Sequence, residues 1–263
     1  IFIVFLVHHI SCHAQQETAD STLTIDTVIV RSFEQFKKAP YAPILISSIP
    51  AGISNYSSKT SLVNGLNAIA GVRMEERSPG SYRLNIRGSS LRSPFGVRNV
   101  KVYWNDIPVT DPGGNTYFNQ FAWNNFSYIE VFKGPAGSMY GTGTGGLILL
   151  NNFYETWKPG ISIEYITGSY GLHNIFTAAR FGQEARLNDV VGQENKNLLT
   201  FTHNQTDGFR VQTSMRRDNF SWTSQLKREK HELTAALLFT DMYYQTPGAL
   251  TLAEFKNDPK AAR

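Results

Sequence analysis

The pattern of hydrophobic and polar positions divides the chain into four stretches. Residues 1–7 are apolar, and residues 15 to about 43 are polar apart from one compact apolar patch at Thr27–Val30. From about residue 41 to 158, short apolar runs alternate with turn residues, which is typical of a small domain of mixed α and β structure. After Lys158-Pro159-Gly160, apolar and polar residues alternate with a period of two, which predicts β-strands.

The mixed stretch contains one predicted helix and several predicted strands. Apolar residues recur at helical spacing from Leu62 to Ala70, with Ser57 and Ser58 as possible caps and Gly71 as a left-handed terminator. Strands are predicted over residues 83–87, 100–104, 128–132 and 145–150, with turns at Asn105-Asp106 and at residues 111–114.

The alternating stretch leaves two architectures open. Ile161, Ile163 and Tyr165 form one apolar face, and Phe220, Trp222 and Leu226 form another. Segments of about ten residues with one apolar and one polar face fit transmembrane β-strands between lipid and water. A soluble β-sandwich gives the same alternation. Several aromatic residues near the segment ends favour the membrane, where they would form a girdle: Trp157, Tyr165, Tyr170, Trp222, Tyr243 and Tyr244.

The first residues indicate export from the cytoplasm. The apolar run of residues 1–7 is far shorter than the ~20 residues of a membrane-spanning helix. Cys12 and Ala14 supply small residues before a polar segment, which predicts the end of a signal peptide with cleavage after Ala14. A lipoprotein with Cys12 as the lipidated residue is the alternative. Cys12 is the only cysteine, which excludes disulfides and cysteine-based zinc sites.

Composition and charge narrow the function classes. With 263 residues, 41% of them apolar and 17% charged, the chain is expected to bury a core. A net charge of +4 over this length does not indicate nucleic-acid binding. Positive charge is concentrated between residues 71 and 101, where cations can attract an anionic ligand or pair with carboxylates on a surrounding wall. The cations are Arg73, Arg77, Arg83, Arg87, Arg92, Arg98 and Lys101, against Glu75 and Glu76.

No catalytic, metal or cofactor site is predicted. Gly141–Gly146 satisfies the G-x-G-x-x-G pattern, but a nucleotide site requires a helix after it and residues 147–150 read as a strand. The glycines therefore predict a tight turn. His173, His203 and His231 lie far apart without a second ligand at metal spacing, and no nucleophile elbow or HExxH pattern occurs.

Three motifs together resemble the plug domain of TonB-dependent outer-membrane receptors. They are LNAIAGVRMEERSPGSYRLNIRGSS at 66–90, VKVYWNDIPVTDPGG at 100–114 and YIEVFKGPAGSMYGTGTGGLILLNN at 128–152. The segment Asp26, Thr27, Val28, Ile29 and Val30 resembles the TonB box. TDGFR at 206–210 and PGALTLAEFKNDPKAAR at 247–263 are similar to the early barrel of ferric-chelate receptors.

The resemblance implies an organisation for the whole chain. Residues 1–14 would be part of a signal peptide, 15–40 a tether with the TonB box, 41–158 the plug domain and 159–263 the first strands of a barrel. The expected fold is an α+β plug domain followed by antiparallel transmembrane β-barrel strands in the outer membrane of a Gram-negative bacterium. Barrels with plugged lumens have 22 strands, whereas the ~105 residues after Lys158 hold roughly six at ~10 residues each. The barrel is therefore expected to be incomplete, with the gene continuing beyond Arg263.

The resemblance also implies a function without enzymatic chemistry or a cofactor. Such a receptor captures a scarce ligand at its plug loops, and a TonB-type protein on the periplasmic side supplies energy through the tether. A ferric siderophore or ferric citrate is the favoured ligand, with cobalamin, heme or oligosaccharide as alternatives. A soluble periplasmic binding module and a non-functional truncated fragment are the opposing interpretations. Candidate ligand contacts in the plug loops are Arg92, Phe95, Asn115 and Tyr117, since a rigid scaffold commonly presents binding residues on loops.

Overall fold

A computed structural model provides the structure of the protein. It describes residues 29–32, 35–38, 45–50, 59–78, 80–89, 96–135, 140–141, 143–153, 157–183, 194–228 and 230–263. The predicted signal peptide, and with it Cys12, lies outside these residues.

The described residues form fourteen strands and two short α-helices. Before residue 158 the strands are β1 (Ile29–Ser32), β2 (Gln35–Lys38), β3 (Ile46–Pro50), β4 (Val72–Ser78), β5 (Ser81–Ile86), β6 (Val100–Trp104), β7 (Ile107–Pro108), β8 (Tyr128–Phe132) and β9 (Gly146–Asn151). After it follow β10 (Gly160–Gly168), β11 (Leu172–Gln183), β12 (Glu194–Thr206), β13 (Met215–Arg228) and β14 (His231–Tyr244). The helices are α1 (Leu62–Asn67) and α2 (Leu252–Asn257), and none of the described helices is long and apolar enough to cross a membrane.

The mixed domain is built on a five-stranded sheet in the order β3-β8-β9-β6-β7. β6 and β9 run parallel, and the other pairs are antiparallel. The strands β8 and β9 are buried over almost their whole length, which explains the continuous apolar run of β9, whereas β8 includes the buried Glu130. The 3₁₀ turns Phe118–Gln120 and Trp123–Asn125 add aromatic rings to the core beside the separate β4–β5 hairpin.

The predicted helix is confirmed, but its cap is different. Ser61, rather than Ser57 or Ser58, caps α1 by accepting a hydrogen bond from the Val63 amide at 3.2 Å. Positions 57 and 58 lie outside the described residues. The helix ends at Asn67, whose side chain exchanges two hydrogen bonds with the backbone of Met74. Gly71 has the expected positive φ of 78°, but it opens β4 instead of ending the helix.

The period-two stretch forms a five-stranded antiparallel meander, β10 to β14, which we call the wall sheet. Adjacent strands pair in order, and the sheet does not close within the described residues. Its two faces have opposite chemistry. The exposed face is apolar, as shown by Ile161 (80% exposed) and Phe239 (63%), whereas Thr202 and Thr223 on the other face are fully buried.

Three of the aromatic and basic residues lie in positions that differ from expectation. Trp222 lies in the middle of the exposed face, between Leu199 and Leu237, instead of near a strand end. Trp157 is buried and therefore cannot belong to an exposed girdle. Arg87 was expected on a strand, but β5 ends at Ile86 and Arg87 adopts a left-handed φ of 51° in the following turn.

Candidate functional site

The second loop predicted to bind ligand meets the described end of the first. Val97 and Thr116 exchange two backbone hydrogen bonds of 2.8 Å each, which joins residues 96–99 to residues 110–117. Gly96 lies so close that an added Cβ would sit 3.2 Å from the Asn115 Cβ. Asn115 and Tyr117 therefore adjoin the described end of the first loop, while Arg92 and Phe95 lie outside the described residues.

Asn115 connects an acidic and a basic side chain. Its Oδ1 atom accepts a hydrogen bond from Arg98 Nε at 2.8 Å, and its backbone amide donates to Asp111 Oδ1 at 2.8 Å. The hydrogen bond from the Asn115 backbone amide is the main reason that the pKa of Asp111 lies below its usual range, and the Arg98 charge adds to the effect. Asn115 is thus held in place, whereas Tyr117 beside it is 38% exposed.

The glycine-rich segment forms a turn at the same edge of the central sheet. Because β6 and β9 are parallel, their first residues, Val100 and Gly146, lie side by side. The Gly145 amide donates to the Asn99 carbonyl at 2.8 Å, and the Asn99 side chain contacts Ser89 and Thr144. β9 begins at Gly146, so the predicted strand after the glycines is confirmed, while position 142 within the glycine run lies outside the described residues.

Two arginines of the basic stretch at residues 71–101 bind different partners. Arg73 pairs with Glu75 at 2.7 Å on the exposed surface. Arg87 donates to the Lys133 carbonyl at 3.1 Å, which brings two cationic side chains together. Lys133 is buried, and this burial, together with the Arg87 charge, lowers the pKa of its ammonium group.

A polar network around the buried side chains of Tyr82 and Arg217 links the β4–β5 hairpin to the wall sheet. The Tyr82 hydroxyl is hydrogen-bonded to Glu76 and to Arg217 of β13, and the Gly80 amide donates to Glu76 Oε1 at 3.1 Å. Burial raises the pKa of Glu76, although Gly80, Arg217 and Tyr82 partly oppose it. Burial and the Glu76 charge raise the pKa of Tyr82 to about 12.

Further polar contacts join the mixed domain to the wall sheet. The Gln120 carbonyl accepts from Asn219 Nδ2 at 2.8 Å and from Thr240 Oγ1 at 2.9 Å. Lys59 forms an ion pair with Glu164 of β10. The polar face of the wall therefore lies against the mixed domain.

The buried Asn152 makes hydrogen bonds both within the mixed domain and to the wall sheet. Its Oδ1 atom accepts from Trp104 Nε1, from Asn105 Nδ2 at 2.6 Å and, at the outer limit of 3.4 Å, from Thr223 Oγ1 of β13. Its backbone amide donates to Asn105 Oδ1 at 2.9 Å. The end of the central sheet is thereby fixed beside the wall.

A cleft of about 490 Å³ opens beside Gln120. It is lined by Asn119, Gln120, Leu238, Thr240, Asp241 and Met242. β14 is the outer strand of the wall sheet among the described strands, so this cleft borders a sheet edge and is not enclosed.

The predicted TonB box is described only at its end. Ile29 and Val30 lie in β1, where their backbones pair with Lys38 and Lys37 of β2 in a separate two-stranded sheet. Asp26, Thr27 and Val28 lie outside the described residues.

His173, His203 and His231 lie on the exposed face of the wall sheet. His203 Nδ1 is 2.6 Å from Asp218 Oδ1 on the neighbouring strand, a carboxylate partner that sequence spacing did not indicate. His173 contacts the Tyr165 hydroxyl at 2.7 Å. Within the described part of the chain, no group of three or more His, Cys, Asp or Glu side chains could hold a metal ion.

Sequence reasoning missed the residues that connect the two parts. Arg98 was counted only as part of the basic stretch, yet it contacts the predicted site residue Asn115. Arg217 lies at an odd-numbered position of β13 and therefore faces the side opposite to Phe220 and Trp222. The alternation itself could have placed it on the inner face. Gln120 acts through its backbone carbonyl, for which the sequence carries no signal.

Comparison with known proteins identifies the mixed domain. Residues 38–147 match the family model described as the TonB-dependent receptor plug domain. The fold is similar to that of a ferric citrate transporter, FecA, in its unliganded form, with a TM-score of 0.62, 19% identity and coverage of 82% of this chain and 34% of that one.

Two further solved structures are similar. The ferric yersiniabactin uptake receptor FyuA from Yersinia pestis gives a TM-score of 0.61 at 16% identity, covering 78% of this chain and 32% of that one. A copper transporter, OprC, gives a TM-score of 0.55 at 17% identity, covering 76% and 31%. The chain thus spans about a third of the length of these proteins.

The comparisons agree with the predicted architecture of a plug domain followed by antiparallel strands of an unclosed barrel. TonB-dependent receptors are β-barrel proteins of the Gram-negative outer membrane, and they are not enzymes. Residues 38–147 are thus a TonB-dependent receptor plug domain, and the antiparallel strands that follow are similar in fold to the beginning of the barrel wall in these structures.

Proposed function

We propose that the complete protein is an outer-membrane receptor that takes up a ferric chelate, a siderophore complex or ferric citrate, with energy supplied by a TonB-type protein. Residues 15–40 would act as the tether, residues 41–158 as the plug domain and residues 159–263 as the first strands of the barrel. Ligand would first meet the plug loops, and force on the tether would then open the path.

The observation that carries this proposal is the inverted chemistry of the wall sheet. A soluble sandwich buries its apolar face, whereas here the buried face is mainly polar, with Asn, Ser and Thr beside one small apolar cluster of Phe176, Ala178 and Leu198, and it contacts the plug domain. The exposed face carries a row of phenylalanines, Phe201, Phe220 and Phe239, on adjacent strands. Lipid on one side and a wet plug on the other account for both faces.

The predicted ligand loops have the charge that an anionic chelate requires. Arg98 lies beside Asn115, and Arg92 belongs to the loop that ends at Val97. Charge-assisted hydrogen bonds from arginine to carboxylate or catecholate oxygens are strong and directional. The named functions of FyuA and FecA, uptake of ferric yersiniabactin and of ferric citrate, support iron over other cargo.

The tether is suited to capture by strand addition. β1 pairs with β2 on one side only among the described residues, so its other edge has the geometry that an added strand needs. We propose that Asp26, Thr27, Val28, Ile29 and Val30 present this edge to the energy-transducing partner at the periplasmic side.

An uptake experiment with the complete gene tests the proposal. A deletion strain under iron limitation would be supplied with radiolabelled ferric citrate, a panel of labelled ferric siderophores, labelled copper and labelled cobalamin. We expect the complete receptor to restore uptake of at least one iron chelate, and only when TonB is present. Restoration confined to copper or cobalamin would overturn the ligand class, and uptake independent of TonB would overturn the mechanism.

A further inference from the structure

Two sequence segments that are 37 residues apart meet through one arginine. They are residues 206–210 and residues 247–263, each of which resembles a part of the early barrel without having a role assigned. We propose that Arg210 is a positioning residue that joins the connection at 207–214 and the segment at 245–263 into one clasp, so that both loops open and close together.

The guanidinium group of Arg210 makes three hydrogen bonds to the backbone of the second segment. Nε and Nη2 donate to the Ala261 carbonyl at 3.1 and 2.8 Å, and Nη1 donates to the Gly248 carbonyl at 3.2 Å. Gly248 and Ala261 lie at opposite ends of this segment. A single side chain therefore closes a loop that includes α2.

Backbone contacts place the two connections in register. The Val211 amide donates to the Lys260 carbonyl at 2.9 Å, and the Gln245 amide donates to the Ser214 carbonyl at 2.9 Å. The Arg263 amide donates to the Pro247 carbonyl at 2.8 Å, which brings the two ends of the segment together. These backbone hydrogen bonds accompany the Arg210 side-chain bonds and hold the two segments together.

Within the segment, Pro247 is buried, but α2 and the residues around it contribute no apolar burial that could replace these polar contacts. α2 has no buried residue, and Leu252 on it is 69% exposed. Thr251 and Glu254 form a reciprocal capping box that stabilises α2 internally without attaching it to the wall. Because segments with few buried contacts open readily, loss of the Arg210 bonds should free the whole segment.

The clasp extends to a third connection. The Asp207 amide donates to the Tyr170 carbonyl at 2.8 Å, and the Tyr170 and Phe209 rings meet edge to face at 5.6 Å. The Lys260 ammonium group lies 5.7 Å from the centre of the Phe209 ring. One end of the wall sheet therefore has its three connections linked in series.

This end of the sheet is the one that faces ligand if the proposed function is right. The opposite end carries the two-residue β13–β14 turn and the ten residues between β11 and β12, whereas the clasp end carries the segment at 245–263, which is longer than either. The longest loops of such barrels typically lie outside. The clasp would then act at the entrance, although its existence does not depend on which ligand is transported.

Hydrogen exchange of the complete receptor in outer-membrane vesicles tests the clasp without any ligand. We expect Arg210→Ala to raise the exchange rate of the amides in residues 246–262 and of Val211 by about tenfold or more, with the plug amides unchanged. The exchange rates of Arg210→Lys should lie between those of the wild type and Arg210→Ala, because one ammonium group cannot bond both carbonyls in the way that a guanidinium group does. Arg216→Ala is the matched control, since Arg216 pairs with Asp218 and Asp241 on the wall and does not contact the clasp.

Two results would overturn the proposal. Unchanged exchange in Arg210→Ala would show that the loops are held by other contacts. Exchange that rises throughout β12 to β14 would show that Arg210 stabilises the sheet instead of joining the loops. Because no substrate is added, failure of the uptake experiment leaves this test unaffected.

Discussion

At the scale of single residues, the role of Gly146 illustrates why the glycine run is structural. Its φ is 152°, and a Cβ added there would lie 2.5 Å from the Phe132 carbonyl oxygen of the paired strand β8. We expect Gly146→Ala to destabilise the plug domain by roughly 3 kcal/mol or more, because the backbones of β8 and β9 must separate. Calorimetry of the complete receptor measures this effect.

Gly141→Ala is the matched control for Gly146→Ala. Gly141 also has a positive φ, of 77°, but an added Cβ would meet nothing within 4 Å. Gly141→Ala should therefore lower the free energy of unfolding by only about 1 kcal/mol, which is the cost of a positive φ for alanine. Equal costs for the two variants would contradict the close approach of β8 and β9.

Tyr82 should make the plug sensitive to alkaline pH. Its pKa is raised to about 12 in the folded state from 10 in the unfolded state, so the folded state retains its proton longer. The associated stability is present below pH 10 and is lost as pH rises through about 12, with an upper limit of about 3 kcal/mol. Tyr82→Phe should therefore remove this part of the alkaline decline in the unfolding temperature of the plug.

The control for Tyr82→Phe is Tyr117→Phe, since Tyr117 is an exposed plug tyrosine. It should leave the alkaline decline unchanged. At neutral pH, Tyr82→Phe should cost about 1 to 2 kcal/mol, because Glu76 and the buried Arg217 each lose an interaction with the Tyr82 hydroxyl. A decline identical to that of the wild type would show that Tyr82 does not remain protonated in the folded plug.

Arginine in the first ligand loop should contribute to chelate binding. We expect Arg92→Ala in the complete receptor to weaken binding of an anionic ferric chelate by roughly 1.5 to 3 kcal/mol, the usual value of a charge-assisted hydrogen bond. Titration of surface binding on cells at low temperature measures the change. Arg73→Ala is the control, since Arg73 pairs with Glu75 on an exposed part of β4. Unchanged affinity in alanine variants of Arg92, Phe95, Asn115 and Tyr117 would place the ligand on barrel loops alone.

At the scale of elements, β14 offers a direct test of the lipid-facing surface. Leu237 lies in the middle of the exposed face and Leu233 lies near the short β13–β14 connection, on the same strand and face. Arginine at the bilayer midplane costs about 2 to 4 kcal/mol, but only about 0 to 1 kcal/mol near an interface. Unfolding titrations of the complete barrel in lipid should therefore show a much larger loss for Leu237→Arg than for Leu233→Arg. Similar small losses in both would mean that this face does not lie in the bilayer.

Elements with strong local signals were predictable, and those made by distant contacts were not. α1, β6, β8 and the period-two strands follow from apolar periodicity and turn residues. The β4 strand was not predicted as a separate element, because the charged residues Arg73, Glu75 and Glu76 obscure the alternation of buried Val72 and Met74. Its pairing with β5 supplies the hairpin that the local sequence does not specify.

At the scale of the whole molecule, the sequence alone could not distinguish a membrane wall from a soluble sandwich. Alternation reveals that a strand has two faces, but it does not reveal which face is buried. The contact of Asn219 with the Gln120 carbonyl, between residues 99 positions apart, decides that the polar face is inside. Likewise, the motifs indicated the plug domain, whereas its attachment through Arg217 and Asn152 required the folded structure.

Uptake and surface binding, measured side by side in cells carrying the complete receptor, test the proposed function most directly. Proline at position 28 removes a backbone donor and fixes φ, so Val28→Pro should prevent strand addition by the TonB-type partner, whereas Val28→Ala should largely preserve it. We predict that Val28→Pro binds a ferric chelate normally and fails to transport it, while Val28→Ala does both. Normal transport by Val28→Pro would contradict coupling through this segment, and loss of binding as well would place Val28 within the folded plug.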